Sequence, residues 1–336
     1  MPDHGGSQNI DNALHLLSVS FDSIQPDLLS LPDKRLDRRD DKRNVVYSWT
    51  GDDKEEFELK LVDNIPDPIT VQKRSFYQEP PYIPGQHRRV PFLQKHPGHP
   101  FAVVFQAMKV SNPDWRCDHV DIIAQSDLLN IIFSWIRGDH TSSFVIEASL
   151  IKNTLCITLF KDKKHSSDSD EDESPSPTPT TVGQHHILEY SFGGLNLLVT
   201  SPGHLVRSIC RDSKVCFARI LPTADNRPEP RWRNVIPLLW FSGTHTCVSG
   251  SVSDGVFKQD RQWYVNRKIR RWGGRSDTRE HMKTMFWLLQ YVRIITTCQL
   301  FSRSCLIRFE GSGSHKRLEV YAATRAQQLP TLFGEF

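Results

Sequence analysis

The sequence predicts an α+β fold in which helices flank one central mixed β-sheet. Helical and strand-like segments alternate without the regular βαβ repeat of a parallel-sheet protein. The apolar runs 143–151 and 154–160 meet at Lys152-Asn153, as in a β-hairpin. Residues 277–297 carry an apolar stripe at helical spacing, and Asp277 with Glu280 resembles a capping box at its start.

The remaining elements follow from the same periodicities. Helices are predicted at 101–110, at 127–137 with Ser126 as N-cap and Gly138 as the stop, and at 236–241. Strands are predicted at 120–123, 186–190, 195–200, 215–221, 246–252, 256–257, 305–309 and 318–321.

Length and composition indicate a globular core with additional unstructured chain. The chain has 336 residues, of which 38% are hydrophobic, and its net charge is only +3. These values exclude collagen-like, coiled-coil and fully disordered classes. There is no apolar run of 18 residues, no secretory signal and no C-x-x-C pair among the seven cysteines. We therefore expect a cytoplasmic or nuclear protein that has reduced thiols and no membrane partner.

Three segments are expected to lie outside regular structure. Residues 1–43 are polar and are predicted to form a disordered tail with one short helix near 13–19. A single domain is expected over 44–325, with a second tail at 326–336. Within the domain, the proline-rich stretch 64–100 is expected to be extended.

The acidic segment 161–184, rich in serine and proline, is predicted to be a disordered surface loop. Its sequence suits acid-directed and proline-directed phosphorylation, or else it is an inert insertion. A phosphorylated acidic loop is also a candidate contact for a protein partner. The candidate phosphorylation sites are Ser167, Ser169, Ser174, Ser176 and Thr178.

Several enzyme signatures are absent. The sequence has no G-x-S-x-G, Walker A, G-x-G-x-x-G or H-E-x-x-H motif. Asp40-Asp41 and Asp52-Asp53 are not the paired D-D-x-x-D helices of prenyl synthases. The His96–His99 and His185-His186 pairs lack a second pair at ligand spacing, so we predict no metal site there.

Residues 258–275 are strongly basic. They contain seven cations and one acid, Asp260, with Trp263, Tyr264 and Trp272 interleaved. Cations neutralise phosphates and aromatic faces stack on bases, so this pattern suits single-stranded RNA. Alternatively, the aromatic residues pack in the core, and the cations are solvated or pair with the acidic loop in an autoinhibitory contact. The predicted nucleic-acid-binding residues are Lys258, Arg261, Arg267, Lys268, Arg270, Arg271 and Trp272.

A series of short motifs extends over residues 45–300. They are Tyr47-Ser48-Trp49, residues 101–108, Pro113-Asp114-Trp115 with 120–123, residues 128–129 with 135–138, residues 145–147 with 153–155, residues 188–195, residues 239–242, residues 248–250 and residues 255–257. In order and spacing they resemble a fungal family often labelled geranylgeranyl pyrophosphate synthetase. The core of that family resembles the DXO-type decapping exonucleases, which have a PD-(D/E)XK-like fold.

The resemblance implies metal-dependent phosphodiester cleavage. Such nucleases hold Mg²⁺ with a Glu and an Asp on one strand and an E-x-K pair on the next, whose lysine helps to place the attacking water. Here Pro202 and His204 stand at the Glu and Asp positions, and Ala218 lies where an E-x-K carboxylate is expected. The residual acids nearby are Glu147, Glu189 and Asp212.

The sequence therefore favours a degenerate decapping-nuclease-like domain that acts as an RNA-binding or protein-interaction module and needs no cofactor. The alternative is an active decapping hydrolase or 5′ exonuclease in which relocated carboxylates hold Mg²⁺ or Mn²⁺. The arrangement of acids beside the strand that follows Gly194 distinguishes the two, because an active enzyme needs several converging carboxylates.

Overall fold

The computed structural model describes the chain in ten stretches. They are residues 14–21, 39–51, 57–61, 101–160, 184–207, 215–222, 230–253, 256–298, 303–311 and 315–323. The predicted acidic loop with its phosphorylation candidates, the proline-rich stretch, the histidines at 96 and 99, Asp212 and the tail 326–336 lie outside these stretches.

The described residues form thirteen strands and five helices. The strands are β1 (His15–Ser20), β2 (Arg39–Gly51), β3 (Phe57–Leu61), β4 (Ile122–Gln125), β5 (Phe144–Ile151), β6 (Thr154–Leu159), β7 (Gln184–Phe192), β8 (Leu195–Arg207), β9 (Val215–Pro222), β10 (Thr246–Ser253), β11 (Val256–Tyr264), β12 (Ser304–Glu310) and β13 (Arg317–Ala322). The helices are α1 (Ala102–Ser111), α2 (Ser126–Ile136), α3 (Trp232–Phe241), α4 (Asn266–Gly273) and α5 (Ser276–Cys298).

All thirteen strands join one mixed sheet. Its main path is β1-β13-β12-β5-β6-β4-β8-β7-β2-β3, and β9, β10 and β11 branch from the C-terminal end of β8. Strand β4 is parallel to β6 and β8, and β9 is parallel to β10, whereas the other described pairs are antiparallel. The predicted α+β class with a central mixed sheet is therefore confirmed.

Apolar side chains cover both faces of the sheet because successive strand residues point in opposite directions. On β4 and β8, Ile122, Leu197 and Val199 join a large core with α2, α3, α4 and α5. Their neighbours Ile123 and Leu198 join a second core with α1 and Tyr47. The sheet thus lies between α1 on one face and four helices on the other.

Local sequence signals place most elements correctly, with two exceptions at helix starts. Helix α2 begins at Ser126 rather than after it. The Ser126 hydroxyl is buried and has no hydrogen-bond partner among the described residues, so it does not cap the helix. Helix α5 begins at Ser276. Asp277 accepts a hydrogen bond from the Thr278 amide, while Glu280 pairs with Lys283, so no reciprocal capping box forms.

The N-terminal region differs from the prediction. His15–Ser20 is a strand paired with β13, not a helix, because tertiary pairing outweighs its helical spacing. This strand and the first residues of β2 lie inside the range predicted to be a disordered tail. The rest of 1–43 is outside the described residues, and the domain limits remain a prediction. No helix in the described part of the chain is long and apolar enough to cross a membrane.

Candidate functional site

The two strands that carry the degenerate metal positions lie side by side. Strand β8 pairs with β9 in antiparallel register, with His204 opposite Ala218 and Leu205 opposite Phe217. On its other side, Ala218 is the register partner of Thr246 on β10. The sequence-derived alignment therefore names positions that are true neighbours in the sheet.

One face of these strands carries uncharged side chains around Thr200, and Glu189, the register partner of Leu198, lies on the same face. Residues at even positions along β8, and their register partners, point to this face. Thr200, Ala218 and Thr246 are buried, and Pro202 is half-buried. The Thr200 hydroxyl lies 3.4 Å from the Tyr47 hydroxyl, and burial raises the pKa of Tyr47 far above its ordinary value, so this pair is uncharged.

The opposite face carries an ion pair. Arg219 on β9 extends its guanidinium to Asp127 in the first turn of α2, with 2.5 Å between Nη2 and Oδ1. Its Nη1 donates to the Pro202 carbonyl at 2.8 Å and to the Ser201 hydroxyl at 3.3 Å. The side chain of Arg219 is only 12% exposed, so the guanidinium occupies the space between α2 and the two strands.

This arrangement does not suit a divalent cation. Mg²⁺ takes its oxygen ligands from carboxylates and water, and a lone carboxylate that is already neutralised by a guanidinium offers it little. Among the described residues, Asp127 is the carboxylate in contact with Arg219 at this end of β8, and Glu189 lies farther along the sheet, opposite Leu198. No group of three His, Cys, Asp or Glu side chains in the described stretches is placed to hold a metal ion.

The predicted residual acids do not converge. Glu147 lies on β5 and Glu189 on β7, and three strands separate these two in the sheet. At about 4.8 Å between adjacent strands, the two carboxylates are roughly 19 Å apart, too far to share an ion. Glu189 instead lies 3.2 Å from Nε2 of His119, and burial raises the pKa of Glu147.

The adjacent histidines on β7 do not form a metal site either. His185 stacks on Tyr47 with ring centroids 5.2 Å apart. Its neighbour His186 points to the opposite face of the strand, so the two rings cannot ligate one ion. Among the described residues, Cys117, Cys156, Cys247 and Cys305 are buried free thiols, and burial raises the pKa of Cys247 to about 12.

The predicted basic stretch forms an exposed cationic surface around α4. Arg267, Lys268, Arg270 and Arg271 are all exposed, and α4 contains no acid. None of the four makes an ion pair with a carboxylate of the described residues. The surface continues to Arg261 on β11, whose guanidinium carbon lies 5.8 Å from the ring of Trp263. We call these five cations the α4 surface; the side chain of Lys258 lies outside the described residues.

The aromatic residues of the stretch are divided between surface and core. Trp272 is buried, and its ring packs edge-on against Phe133 at 5.5 Å, so it offers no face to a base, contrary to the prediction. Trp263 is partly exposed and meets Trp232 edge-on at 5.3 Å. Lys268 Nζ lies 3.7 Å above the Trp232 ring, which joins this aromatic pair to the cations of the α4 surface.

Solved structures with the same arrangement of elements are proteins called Rai1. The crystal structure of S. pombe Rai1 matches over 91% of this chain and 98% of its own, with 12% identity and a TM-score of 0.53. S. pombe Rai1 in complex with 3′-FADP matches over the same shares, with 11% identity and a TM-score of 0.52. The chain has the Rai1 fold. At this identity the likeness shows the fold alone, and it confirms the predicted decapping-nuclease-like architecture.

Sequence comparisons give no closer relationship. No family model matches the chain, and neither does any curated protein. The Rai1 structure from Scheffersomyces stipitis matches over 69% of this chain with a TM-score of 0.47.

The two residues that define the site were missed at the sequence level. Asp127 follows a strand and stands in a helix start, where acidic residues are common for reasons of helix capping. Arg219 is a single cation in the apolar strand 215–221 and had no visible partner in sequence. Its isolation among apolar residues was the available signal, because a buried guanidinium requires an acceptor.

Proposed function

We propose that this protein is a decapping-nuclease-like domain without a catalytic metal site, and that it binds RNA. The observation that carries the first part is the Arg219–Asp127 ion pair, because Arg219 neutralises the carboxylate that the described residues place at this end of β8 and β9. The α4 surface supports the second part.

Loss of the metal site removes the main source of catalysis in this type of enzyme. Divalent ions stabilise the charge that develops on the phosphate and lower the pKa of the attacking water. A guanidinium can bind a phosphate, but it cannot lower the pKa of a coordinated water. A domain with these residues can therefore hold an RNA chain without cleaving it.

The α4 surface has the composition that single-stranded RNA requires. Its four α4 cations are exposed and make no ion pair with a carboxylate of the described residues, so binding a phosphate does not require such a pair to break. Trp232 and Trp263 lie beside them and are partly exposed. Cations along the backbone and aromatic faces for bases give binding without sequence specificity.

Two finer predictions keep their status as proposals. Membership of the fungal family labelled geranylgeranyl pyrophosphate synthetase rests on the motif resemblance, and we propose no prenyl transfer because the chain has no D-D-x-x-D pair. Control by phosphorylation of the acidic loop, and contact of that loop with a protein partner, rest on sequence alone.

The first test addresses catalysis. Isothermal titration with MnCl2 is expected to show no saturable binding. Incubation with capped or 5′-monophosphorylated RNA and Mn²⁺ is expected to give no metal-dependent product, while a metal-dependent ribonuclease run in parallel degrades both. Metal-dependent turnover that disappears in Asp127→Asn, Glu147→Gln or Glu189→Gln would establish the active-enzyme alternative and overturn the proposal.

The second test addresses RNA. Fluorescence anisotropy with a labelled single-stranded RNA of 20 nucleotides is expected to show affinity that falls linearly with salt on logarithmic axes. Removing two phosphate contacts with Arg267→Gln/Arg271→Gln should reduce that slope by about 1.4. The control Lys109→Gln/Arg116→Gln removes the same charge from exposed positions on the α1 side of the sheet. Equal decreases of the slope in both double variants would show that the α4 surface makes no particular contribution to RNA binding.

A further inference from the structure

A cavity next to the α4 surface has a lining suited to one nucleotide. It has a volume of about 520 Å³, opens to solvent, and lies between α3, the residue before β10, α4 and the start of α5. This volume lies within the range typical of small-molecule sites. The lining residues are Trp240, His245, Asn266, Ile269, Arg270, Gly273, Gly274 and Arg279.

Helix α4 gives the cavity its polar side. Asn266, Arg270 and Gly273 recur at positions i, i+4 and i+7, so they form one stripe that faces the cavity. Arg267 and Arg271 occupy the next stripe of the same helix and do not line the cavity. The helix therefore presents cations both to the outer surface and to the cavity.

The charge of the lining is one-sided. Arg270 and Arg279 contribute two guanidinium groups from different helices, and no Asp or Glu of the described residues lines the cavity. Guanidinium groups bind phosphate oxygens in a bidentate manner and stay charged at all physiological pH values. The cavity is therefore suited to an anion, and to a phosphate in particular.

The aromatic wall is held in a fixed position. The Trp240 ring is partly exposed and makes edge-on contacts with Phe192 at 5.7 Å and Phe241 at 5.1 Å. An aromatic face that is fixed in this way stacks on any base at low entropic cost. There is open space beside Gly273 in the lining, because a Cβ atom added there would have no heavy atom within 4 Å.

We propose that this cavity binds one nucleoside monophosphate unit of a single-stranded RNA, with the base against Trp240 and the phosphate between Arg270 and Arg279. The proposal rests on the RNA-binding function and specifies the anchoring point of the chain. Because stacking and phosphate pairing do not read base edges, the site accepts all four bases.

The experiment uses the full chain and 5′-AMP as the probe, with adenosine and inorganic phosphate as its two fragments. Isothermal titration is expected to show saturable binding of 5′-AMP, with each fragment at least tenfold weaker. Arg270→Gln should weaken the binding of 5′-AMP at least fivefold. Arg267→Gln, three residues earlier on the same helix, should change the affinity less than twofold. Gly273→Leu fills the cavity without changing charge and should abolish binding.

The possible results distinguish the cavity proposal from the RNA-binding function. Equal effects of Arg267→Gln and Arg270→Gln, or wild-type binding by a folded Gly273→Leu variant, would overturn the cavity proposal, while RNA binding by the α4 surface would be unaffected. Binding of 5′-AMP with the expected pattern but no binding of the 20-nucleotide RNA would support the cavity and overturn the RNA-binding function. Circular dichroism of each variant confirms that the fold is retained.

Discussion

Arg219 is the residue on which the interpretation of the site depends. Its guanidinium joins three structural units, since it contacts the first turn of α2 through Asp127 and the end of β8 through Ser201 and Pro202. A buried cation that satisfies a carbonyl and a carboxylate at once stabilises its surroundings as a bound ion does. The same contacts neutralise Asp127, and this supports the proposal that this end of the sheet holds no catalytic metal ion.

Replacing Arg219 should therefore cost stability. Arg219→Met removes its three hydrogen bonds and leaves the Pro202 carbonyl without this donor, which should lower the free energy of unfolding by about 2 kcal/mol. The control Arg233→Met breaks the exposed pair with Asp139 and should cost less than about 1 kcal/mol. Urea unfolding measures both values, and equal costs for the two variants would show that the Arg219 contacts are unimportant.

Glu147 provides a prediction about pH. Burial raises its pKa in the folded protein, and no cation of the described residues pairs with it. The folded state therefore binds more protons than the unfolded state once the pH exceeds the ordinary carboxyl pKa, so stability falls as the pH rises through that window. Glu147→Gln should stabilise the protein at pH 7 and have little effect at pH 4.

Thermal unfolding of Glu147→Gln at the two pH values checks this expectation. The exposed Glu280, which lies 3.0 Å from Lys283, supplies the control Glu280→Gln. A gain in stability for Glu147→Gln that is the same at pH 4 and pH 7 would contradict the assignment of the effect to a buried charge.

At the scale of elements, the tight turns determine how strands are joined. Gly193 and Gly194 connect β7 to β8 with φ angles of 65° and 99°, and a two-residue hairpin of this type needs positive φ at both positions. Gly193 has a second constraint. A Cβ atom there would lie 2.3 Å from Cδ2 of Phe286, so α5 packs directly on this turn.

The two glycines should consequently differ in their tolerance of alanine. Gly193→Ala adds a clash with a core ring to the strain of positive φ and should cost about 3 kcal/mol. Gly194→Ala carries only the conformational strain, since nothing lies within 4 Å of its Cβ, and should cost about 1 kcal/mol. Chemical unfolding of the two variants gives the comparison, and equal costs would show that Phe286 moves aside freely.

The elements were predictable to different degrees for physical reasons. The hairpin at Lys152-Asn153, the stop at Gly138 and the long helix α5 depend on local signals, and the sequence shows them. The Arg219–Asp127 contact joins residues 92 positions apart, and no periodicity encodes such a pair. The α4 surface was only partly predictable. The sequence shows its cations, but burial of Trp272 depends on tertiary packing.

At the scale of the whole molecule, pairing of β1 with β13 explains why a helix was wrongly predicted near residues 13–19. β1 is a mostly exposed edge strand within a segment that is polar as a whole, and it forms by pairing with the edge of β13. Directly after it, Phe21 is buried in the main core, and its ring meets Trp135 edge-on at 4.8 Å. The Phe21 amide donates to the Lys316 carbonyl at 2.9 Å. Residues from opposite ends of the chain thus complete one core.

Phe21 should therefore behave as a core residue of the domain despite its place near the N-terminus. Phe21→Ala leaves a cavity beside Trp135 and should lower the free energy of unfolding by about 3 kcal/mol, whereas Leu17→Ala on the exposed side of β1 should cost less than about 1 kcal/mol. Both follow from urea unfolding monitored by circular dichroism. A single cooperative transition that shifts as a whole in Phe21→Ala shows that β1 folds with the domain, since a detached segment would leave the midpoint unchanged.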